Sequence, residues 1–149
     1  MQRRTFATAL AGIPFSAKST TAKGHPVMNI TPLAPSPGIA FAEACEVSGF
    51  SRMLFVSGQV PQEGDVIPPD YEGQYRLAWK NVERQLHAAG MSFDNLVKAT
   101  IYLSDRSLIA QSKGLRASIL GERTPAITIV IVGIYDERWL LEIEAVAAA

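Results

Sequence analysis

The sequence contains few cysteines and histidines, the residues on which most metal binding and thiol chemistry depend. It contains one cysteine, Cys45, and two histidines, His25 and His87. A single thiol excludes an intramolecular disulfide framework and a zinc site made of several thiolates, and two imidazoles are too few for a histidine-rich metal centre. We therefore expect no metal site. We interpret Cys45 as a small buried hydrophobe in a strand and His87 as a surface or half-buried helix residue, which argues against a Ser-His-Asp enzyme.

The sequence also has no excess charge of either sign. Its 149 residues include 14 basic and 14 acidic side chains, and this balance argues against a general nucleic-acid binder. Four basic residues and no acidic residue precede Met28. They are Arg3, Arg4, Lys18 and Lys23. The rest of the chain therefore carries a charge of about −4.

The segment 1–27 is typical of a targeting signal or of a start set too far upstream. It begins with Met-Gln-Arg-Arg-Thr-Phe, continues with a short apolar run and ends in small and polar residues, as export signals do. The Arg-Arg-x-Phe spelling resembles a twin-arginine signal, which predicts a periplasmic protein. If Met28 is the true start, we expect a cytoplasmic one. The apolar run is shorter than the roughly 20 residues of a membrane span, so we expect no membrane insertion. In either case one domain is predicted over 28–149.

The remaining chain alternates between helix and strand periods. Apolar residues at three- and four-residue steps predict a helix over 70–89 and a second over 107–120. Three prolines indicate an extended arm over 29–38. Alternating or branched apolar residues predict strands over five ranges: 39–47, 53–56, 95–104, 126–132 and 139–147.

This order predicts an α+β fold, a mixed sheet with two helices packed on one face. Two helices can cover only one face of the sheet, and the other face is also rather apolar. Self-association is the simplest way to cover it.

The familiar nucleotide and hydrolase motifs are absent. The chain contains no G-x-G-x-x-G, P-loop, G-x-S-x-G or H-E-x-x-H, and the Val-Ser-Gly-Gln around Ser57 is not a nucleophile elbow. The last predicted strand places Glu142 and Glu144 on one face. Either each carboxylate is paired at a wet interface, with Lys98 or Arg138 for instance, or one of them lines a cleft and handles a proton or a water.

Four segments, in this order, resemble landmarks of the reactive intermediate deaminase family (Rid, YjgF-like). They are Ser-Gly-Gln at 57–59, Val-Lys-Ala-Thr-Ile-Tyr-Leu-Ser-Asp at 97–105, Pro-Ala at 125–126 and Leu-Glu-Ile-Glu-Ala-Val-Ala at 141–147. The resemblance runs from about Ile30 to the C-terminus. It implies a chorismate-mutase-like α+β protomer and a homotrimer whose sheets pack into a central barrel, with clefts between neighbouring subunits.

The resemblance also implies an activity, the cofactor-free hydrolysis of small imines or enamines, typically 2-imino acids. In the family an arginine of a Pro-Ala-Arg-Ser motif clamps the substrate carboxylate, the Ser-Gly-Gln turn positions the substrate, and a glutamate of the last strand assists water. By position, Ser57 and Gly58 match the substrate-binding turn, and Glu142 matches the catalytic glutamate. The arginine position holds Ile127, and an asparagine position on the second helix holds Lys113.

Ile127 is the departure with the largest consequence. A bidentate arginine–carboxylate contact contributes about 1.5–3 kcal/mol, and isoleucine cannot form it. A standard 2-imino acid should therefore bind poorly, unless Lys113, Arg116 or Arg123 reaches the cleft. The family's N-terminal tyrosine also has no clear counterpart, because Phe41 lacks the hydroxyl.

Three functions remain open. The first is hydrolysis of a small imine or enamine other than a standard 2-imino acid, with Glu142 orienting water. The second is a non-catalytic trimer that binds a small ligand or a partner in the same clefts. The third is an endoribonuclease or translation inhibitor, names attached to this family, against which the lack of a basic stripe and of a histidine acid–base pair argues.

Overall fold

The computed structural model describes residues 27–149. The predicted signal or upstream start over 1–27 therefore lies, except for Val27, outside the described residues. The helices and strands of the described chain are β1 (Asn29–Leu33), β2 (Ala44–Ser48), β3 (Met53–Gln59), α1 (Tyr71–Ala88), β4 (Leu96–Leu103), α2 (Ile109–Leu120), β5 (Ala126–Ile131) and β6 (Leu141–Ala148). Among these residues no helix combines the length and the hydropathy needed to cross a membrane.

Four of the strands form one mixed sheet in the order β3-β6-β4-β5. β6 runs antiparallel to both β3 and β4, whereas β4 and β5 are parallel. β1 and β2 form a separate antiparallel pair. A mixed sheet with two helices confirms the predicted α+β class.

Helix α1 carries the clearest apolar stripe. Asp70 begins the helix by accepting a hydrogen bond from the Gly73 backbone N–H at 2.8 Å, a cap that contributes about 1 kcal/mol. Gly90, at φ 69°, allows the chain to turn after the helix. Five of the six residues of the predicted stripe are at most 1% exposed: Tyr75, Ala78, Trp79, Val82 and Leu86. The sixth, Ala89, follows the last residue of the helix and is half-buried.

The two faces of the four-stranded sheet have different surroundings. The inner face packs under α1 through alternate residues of β4 and β6, each at most 3% exposed: Ala99, Ile101, Leu103, Leu141, Ile143, Ala145 and Ala147. The outer face is open in the single chain, where Phe55 is 72% exposed and Met53 is 46% exposed. This agrees with the expectation that the two helices leave one face uncovered.

The first predicted strand, over 39–47, is wrong in its first half. Proline fixes φ, and Pro37–Ile39 form a 3-10 turn that ends with Ala40 in the left-handed conformation at φ 47°. β2 starts later and pairs with β1, which lies in the predicted extended arm. Between them, the Ala42 backbone N–H donates to Pro125 O at 3.0 Å, so this segment approaches the start of β5.

Candidate functional site

A bulge in β3 marks the place where sequence reasoning located the substrate turn. Val56 pairs with Ala145 and Gln59 pairs with Ile143. Between these pairs Ser57 and Gly58 together stand opposite Glu144, one residue too many for a regular ladder. Such a bulge bends the strand and leaves one residue unpaired, and bulges are common beside active sites.

The Glu142 carboxylate lies directly against the Gly58 backbone. A methyl group built on Gly58 would overlap Glu142 Oε1 and would lie 2.6 Å from its Cδ. Any residue with a Cβ atom at position 58 would occupy the space that the carboxylate fills. The glycine of the Ser-Gly-Gln turn is therefore explained by the close approach of the carboxylate, and the two predicted site residues Gly58 and Glu142 are brought together.

A cleft of about 390 Å³ opens beside this contact. Its floor is formed by Gly58, Tyr102, Glu142 and Glu144, and its wall by residues 132–135 of the loop that follows β5. The volume lies within the range of roughly 300–1,000 Å³ that is typical of small-molecule sites. The cleft can therefore hold a small organic molecule against the carboxylates.

Tyr102 is a site residue that sequence reasoning missed. It pairs directly with Glu142 across β4 and β6, so its side chain lies on the same face of the sheet. Loss of solvent, a hydrogen bond to Glu144 and the charges of Glu144 and Glu142 all raise the pKa of its phenol, which stays protonated and can donate. The alternation of the β4 sequence puts Tyr102 on the same side as Lys98 and Thr100, but only the register with β6 identifies its partners.

The carboxylates of Glu142 and Glu144 have no ion-pair partner within 4.0 Å among residues 27–149. Arg138, one of the suggested partners, pairs instead with Asp136 at 2.6 Å. Lys98, the other, lines a neighbouring cleft of about 330 Å³ together with Ser57 and Glu144. The predicted pairing is therefore not formed in the single chain.

Ile127 and Lys113 lie away from this cleft. Ile127 pairs with Ala99, and its half-buried side chain packs against the core on the inner face of the sheet. Lys113 is exposed on α2, which contacts α1 and the turn Pro37–Ile39. Within one chain the structure brings together Gly58 and Glu142, with Ser57 beside them, and it leaves the other two predicted residues elsewhere.

The two arginines suggested as replacement clamps are engaged in other contacts. Arg116 is 2% exposed, and its Nε donates to Ile39 O at 2.8 Å and to Ala40 O at 3.1 Å. Arg123 pairs with Asp94 at 2.6 Å and holds the pKa of that carboxyl below its usual value. Neither arginine lines the cleft of its own chain.

The thiol and the described imidazole lie outside the cleft as well. Cys45 is half-buried in β2, its Sγ donates to Thr124 O at 3.6 Å, and burial raises the pKa of the thiol. His87 is exposed near the end of α1. In the described part of the chain no three metal-ligating side chains come together.

Comparison with known sequences places the chain among proteins of this architecture. The model of the family described as Endoribonuclease L-PSP matches residues 31–149. A RutC family protein of Pyrococcus horikoshii is 33% identical over 117 residues, which cover 76% of this chain and 90% of that protein. TdcF of Escherichia coli, a candidate reactive intermediate deaminase, is 34% identical over 101 residues, which cover 64% of this chain and 78% of TdcF.

Solved structures agree with the sequence matches. The crystal structure of E. coli TdcF with bound serine is similar with a TM-score of 0.62 at 29% identity, over 80% of this chain and 93% of that one. The Rid protein YyfB of Yersinia pestis has a TM-score of 0.70 at 23% identity, over 82% of this chain and 98% of that one, a likeness that concerns the fold alone. Because the family model spans well over half of its length, the chain belongs to the Rid (YjgF-like) family, whose model carries the description Endoribonuclease L-PSP.

Proposed function

We propose that the protein is a homotrimer that hydrolyses a small imine or enamine other than a standard 2-imino acid, without a cofactor, in clefts between its subunits. The observation that carries the proposal is the position of Glu142. Its carboxylate lies against Gly58 at the edge of a small-molecule cleft, and no basic side chain within 27–149 pairs with it.

Glu142 acts as the group that moves a proton to and from water. A water molecule attacks the carbon of the C=N bond, the π electrons move to nitrogen, and Glu142 accepts a proton from the attacking water. Glu142 returns this proton to nitrogen, which gives a carbinolamine. The hydroxyl proton of the carbinolamine then passes through Glu142 to nitrogen, the C–N bond breaks, and a carbonyl compound and ammonia or an amine leave. A positioned acid–base group of this kind accelerates a reaction about 10²–10⁴-fold.

The trimer is supported by the open face of the sheet and by the division of the predicted site. Phe55 is 72% exposed on that face, and apolar surface of this kind marks an association site. Ile127 and Lys113 lie outside the Glu142 cleft of their own chain, so these residues can meet only across an interface between subunits. The serine bound to TdcF supports small-molecule binding in this fold.

Ile127 supports the exclusion of standard 2-imino acids. Without the arginine fork the substrate carboxylate loses about 1.5–3 kcal/mol of contact, and neither Arg116 nor Arg123 is free in its own chain to replace it. Lys113, which can reach the cleft only from another subunit, carries an ammonium that cannot form the bidentate contact. A substrate without that carboxylate loses nothing from the change.

The experiment is imine hydrolysis by the full chain, followed by release of the carbonyl product. Several 2-imino acids and one imine without a carboxylate are generated in situ. Glu142→Gln should abolish the acceleration, whereas Glu46→Gln, which changes an exposed glutamate on β2, should not. Light scattering of the same samples measures the oligomeric state, and a monomer would contradict the inter-subunit cleft.

Ile127→Arg separates this function from the second candidate. Activity towards 2-imino acids that appears only in this variant means an intact site without its clamp. If neither the parent nor either variant hydrolyses an imine, the second candidate remains, a trimer that binds a small ligand without chemistry. The positions of Ile127 and Lys113 outside the cleft of their own chain would also fit that role.

A further inference from the structure

The cleft beside Glu142 carries negative charge on its floor. Glu142 is half-buried and Glu144 is exposed, and both line the cleft without an ion-pair partner among the described residues. Tyr102, which pairs with Glu142 in the register, contributes a phenol and no charge. Loss of solvent, followed by a hydrogen bond to Glu144 and the charges of both carboxylates, raises the pKa of that phenol.

The wall of the cleft is apolar and aromatic. It consists of residues 132–135, among which Val132 and Ile134 contribute aliphatic surface. Tyr135 is 96% exposed, and Trp139 lies beside it with 6.3 Å between the ring centroids. An accessible aromatic ring of this kind favours a cation or an organic group placed over its face.

Within one chain no basic side chain of residues 27–149 lines this cleft. Arg116 and Arg123 have the partners given above, and Arg138 pairs with Asp136. Lys98 lies on the same sheet face, but it pairs in register with Val146 and lines the neighbouring cleft rather than this one. Within one chain, an anionic group bound here would therefore face two carboxylates without a compensating charge in the cleft lining.

We propose that this cleft selects a cation, namely an iminium ion R–CH=NH₂⁺ whose organic group R carries no carboxylate. The group R lies on the wall of residues 132–135. The inference rests on the proposed function for the chemistry and adds the charge and shape of the substrate. Glu144 attracts the cation, and Glu142 handles the proton. Tyr135 contacts the organic part of the substrate.

The charge of the substrate also fits the reaction. In the iminium R–CH=NH₂⁺ the carbon is already activated for attack by water. Water adds to this carbon, and Glu142 transfers one of the water protons to nitrogen. The C–N bond breaks with its electron pair leaving on nitrogen, and Glu142 passes the remaining water proton from the carbonyl oxygen to the released ammonia. The products are the aldehyde R–CHO and NH₄⁺, so that atoms and charge balance without an oxidant or a reductant.

The test is binding of three stable compounds that share one ring and differ in charge. They are benzylamine, which is cationic at pH 7, benzyl alcohol, which is neutral, and benzoate, which is anionic. By isothermal titration of the full chain we expect benzylammonium to bind about tenfold more tightly than benzyl alcohol, and benzoate to bind most weakly. The preference should shrink in high salt, since partly exposed charges are screened.

Variants assign the preference to the cleft. Glu144→Gln should weaken benzylammonium about threefold, and the Glu142→Gln/Glu144→Gln pair should bind it no better than benzyl alcohol. Tyr135→Ala should weaken both ligands, and Glu46→Gln should weaken neither. Circular dichroism confirms that each variant is folded.

The outcomes separate this inference from the proposed function. Cation-selective binding without imine hydrolysis refutes the proposed function alone. Benzoate binding as tightly as benzylammonium overturns the cationic substrate alone, whereas hydrolysis that prefers imines bearing a carboxylate overturns both the cationic substrate and the exclusion of 2-imino acids in the proposed function. Absence of binding by all three compounds overturns the cationic substrate as well.

Discussion

Replacing Gly58 by alanine should disable Glu142 without unfolding the protein. The new methyl group would overlap Glu142 Oε1 and lie 2.6 Å from Cδ and 3.0 Å from Cγ of the same side chain. Gly58 is not among the glycines with positive φ, so the backbone accepts alanine. The overlap is relieved by rotation of the half-buried Glu142 side chain away from the cleft.

The effects on rate and on stability have different magnitudes. A misplacement of a catalytic group by about 1 Å costs on the order of 10²-fold in rate, and we expect this loss in kcat/KM for imine hydrolysis. The clash is with the end of a flexible side chain, so the free energy of unfolding should change by less than about 1 kcal/mol. For a chain of this length that corresponds to a shift in Tm of less than about 4 °C.

The assay combines imine hydrolysis with thermal unfolding. Gly38→Ala is the matched control, because a methyl group there would meet nothing within 4 Å. Gly58→Ala and Glu142→Gln act through the same carboxylate, so the double variant should be no slower than Glu142→Gln alone. A Gly58→Ala protein with the parent kcat/KM, or a double variant in which the two losses add, would refute the reasoning.

Three further predictions concern stability and titration. Gly114→Ala, inside α2 with open space around it, should raise the free energy of unfolding by about 0.5–1 kcal/mol in urea denaturation; a decrease would contradict it. Arg116→Ala should lower the free energy of unfolding by about 2–4 kcal/mol, because two backbone carbonyls lose their donor; a loss below about 0.5 kcal/mol would mean that water replaces it. The Arg138 guanidinium lowers the pKa of Asp136 from 3.8 to about 2. The folded state therefore binds the proton less readily, and the stabilisation present above the ordinary pKa is lost as the pH falls towards 2. In Arg138→Ala, NMR titration should show the pKa of Asp136 rising only part of the way to its ordinary value, because the backbone N–H of residue 138 still donates to Asp136 Oδ1.

The parts of the fold that depend on local periodicity could be predicted from the sequence. The apolar stripe of α1 lies where its three- and four-residue spacing indicates, and the alternation of β6 separates Glu142 and Glu144 from the core residues. The α+β class follows from the order of these elements. The segment around Pro37–Ile39 could not be predicted, because its shape depends on contacts with β5 and α2 far along the chain.

The candidate site depends on register, which periodicity does not give. Gly58 and Glu142 were identified through the family resemblance, but their contact requires the bulge between β3 and β6. Tyr102 became a site residue only through its pairing with Glu142. Ile127 is a candidate site residue by motif alone, and within one chain the parallel pairing of β4 with β5 puts it on the other face of the sheet from Glu142.

The hydrogen bonds of the buried Arg116 bear on which part of the fold unfolds first. It ties the turn before β2 to α2 through Ile39 O, 77 residues away in sequence, and the Ala42–Pro125 hydrogen bond ties the same turn to β5. A two-stranded sheet is marginally stable on its own, so the β1–β2 pair depends on these distant attachments. We therefore expect the β1–β2 pair to behave as a separate cooperative unit. Its backbone amides should exchange hydrogen through local opening, whereas those of β4 and β6 should exchange only through global unfolding.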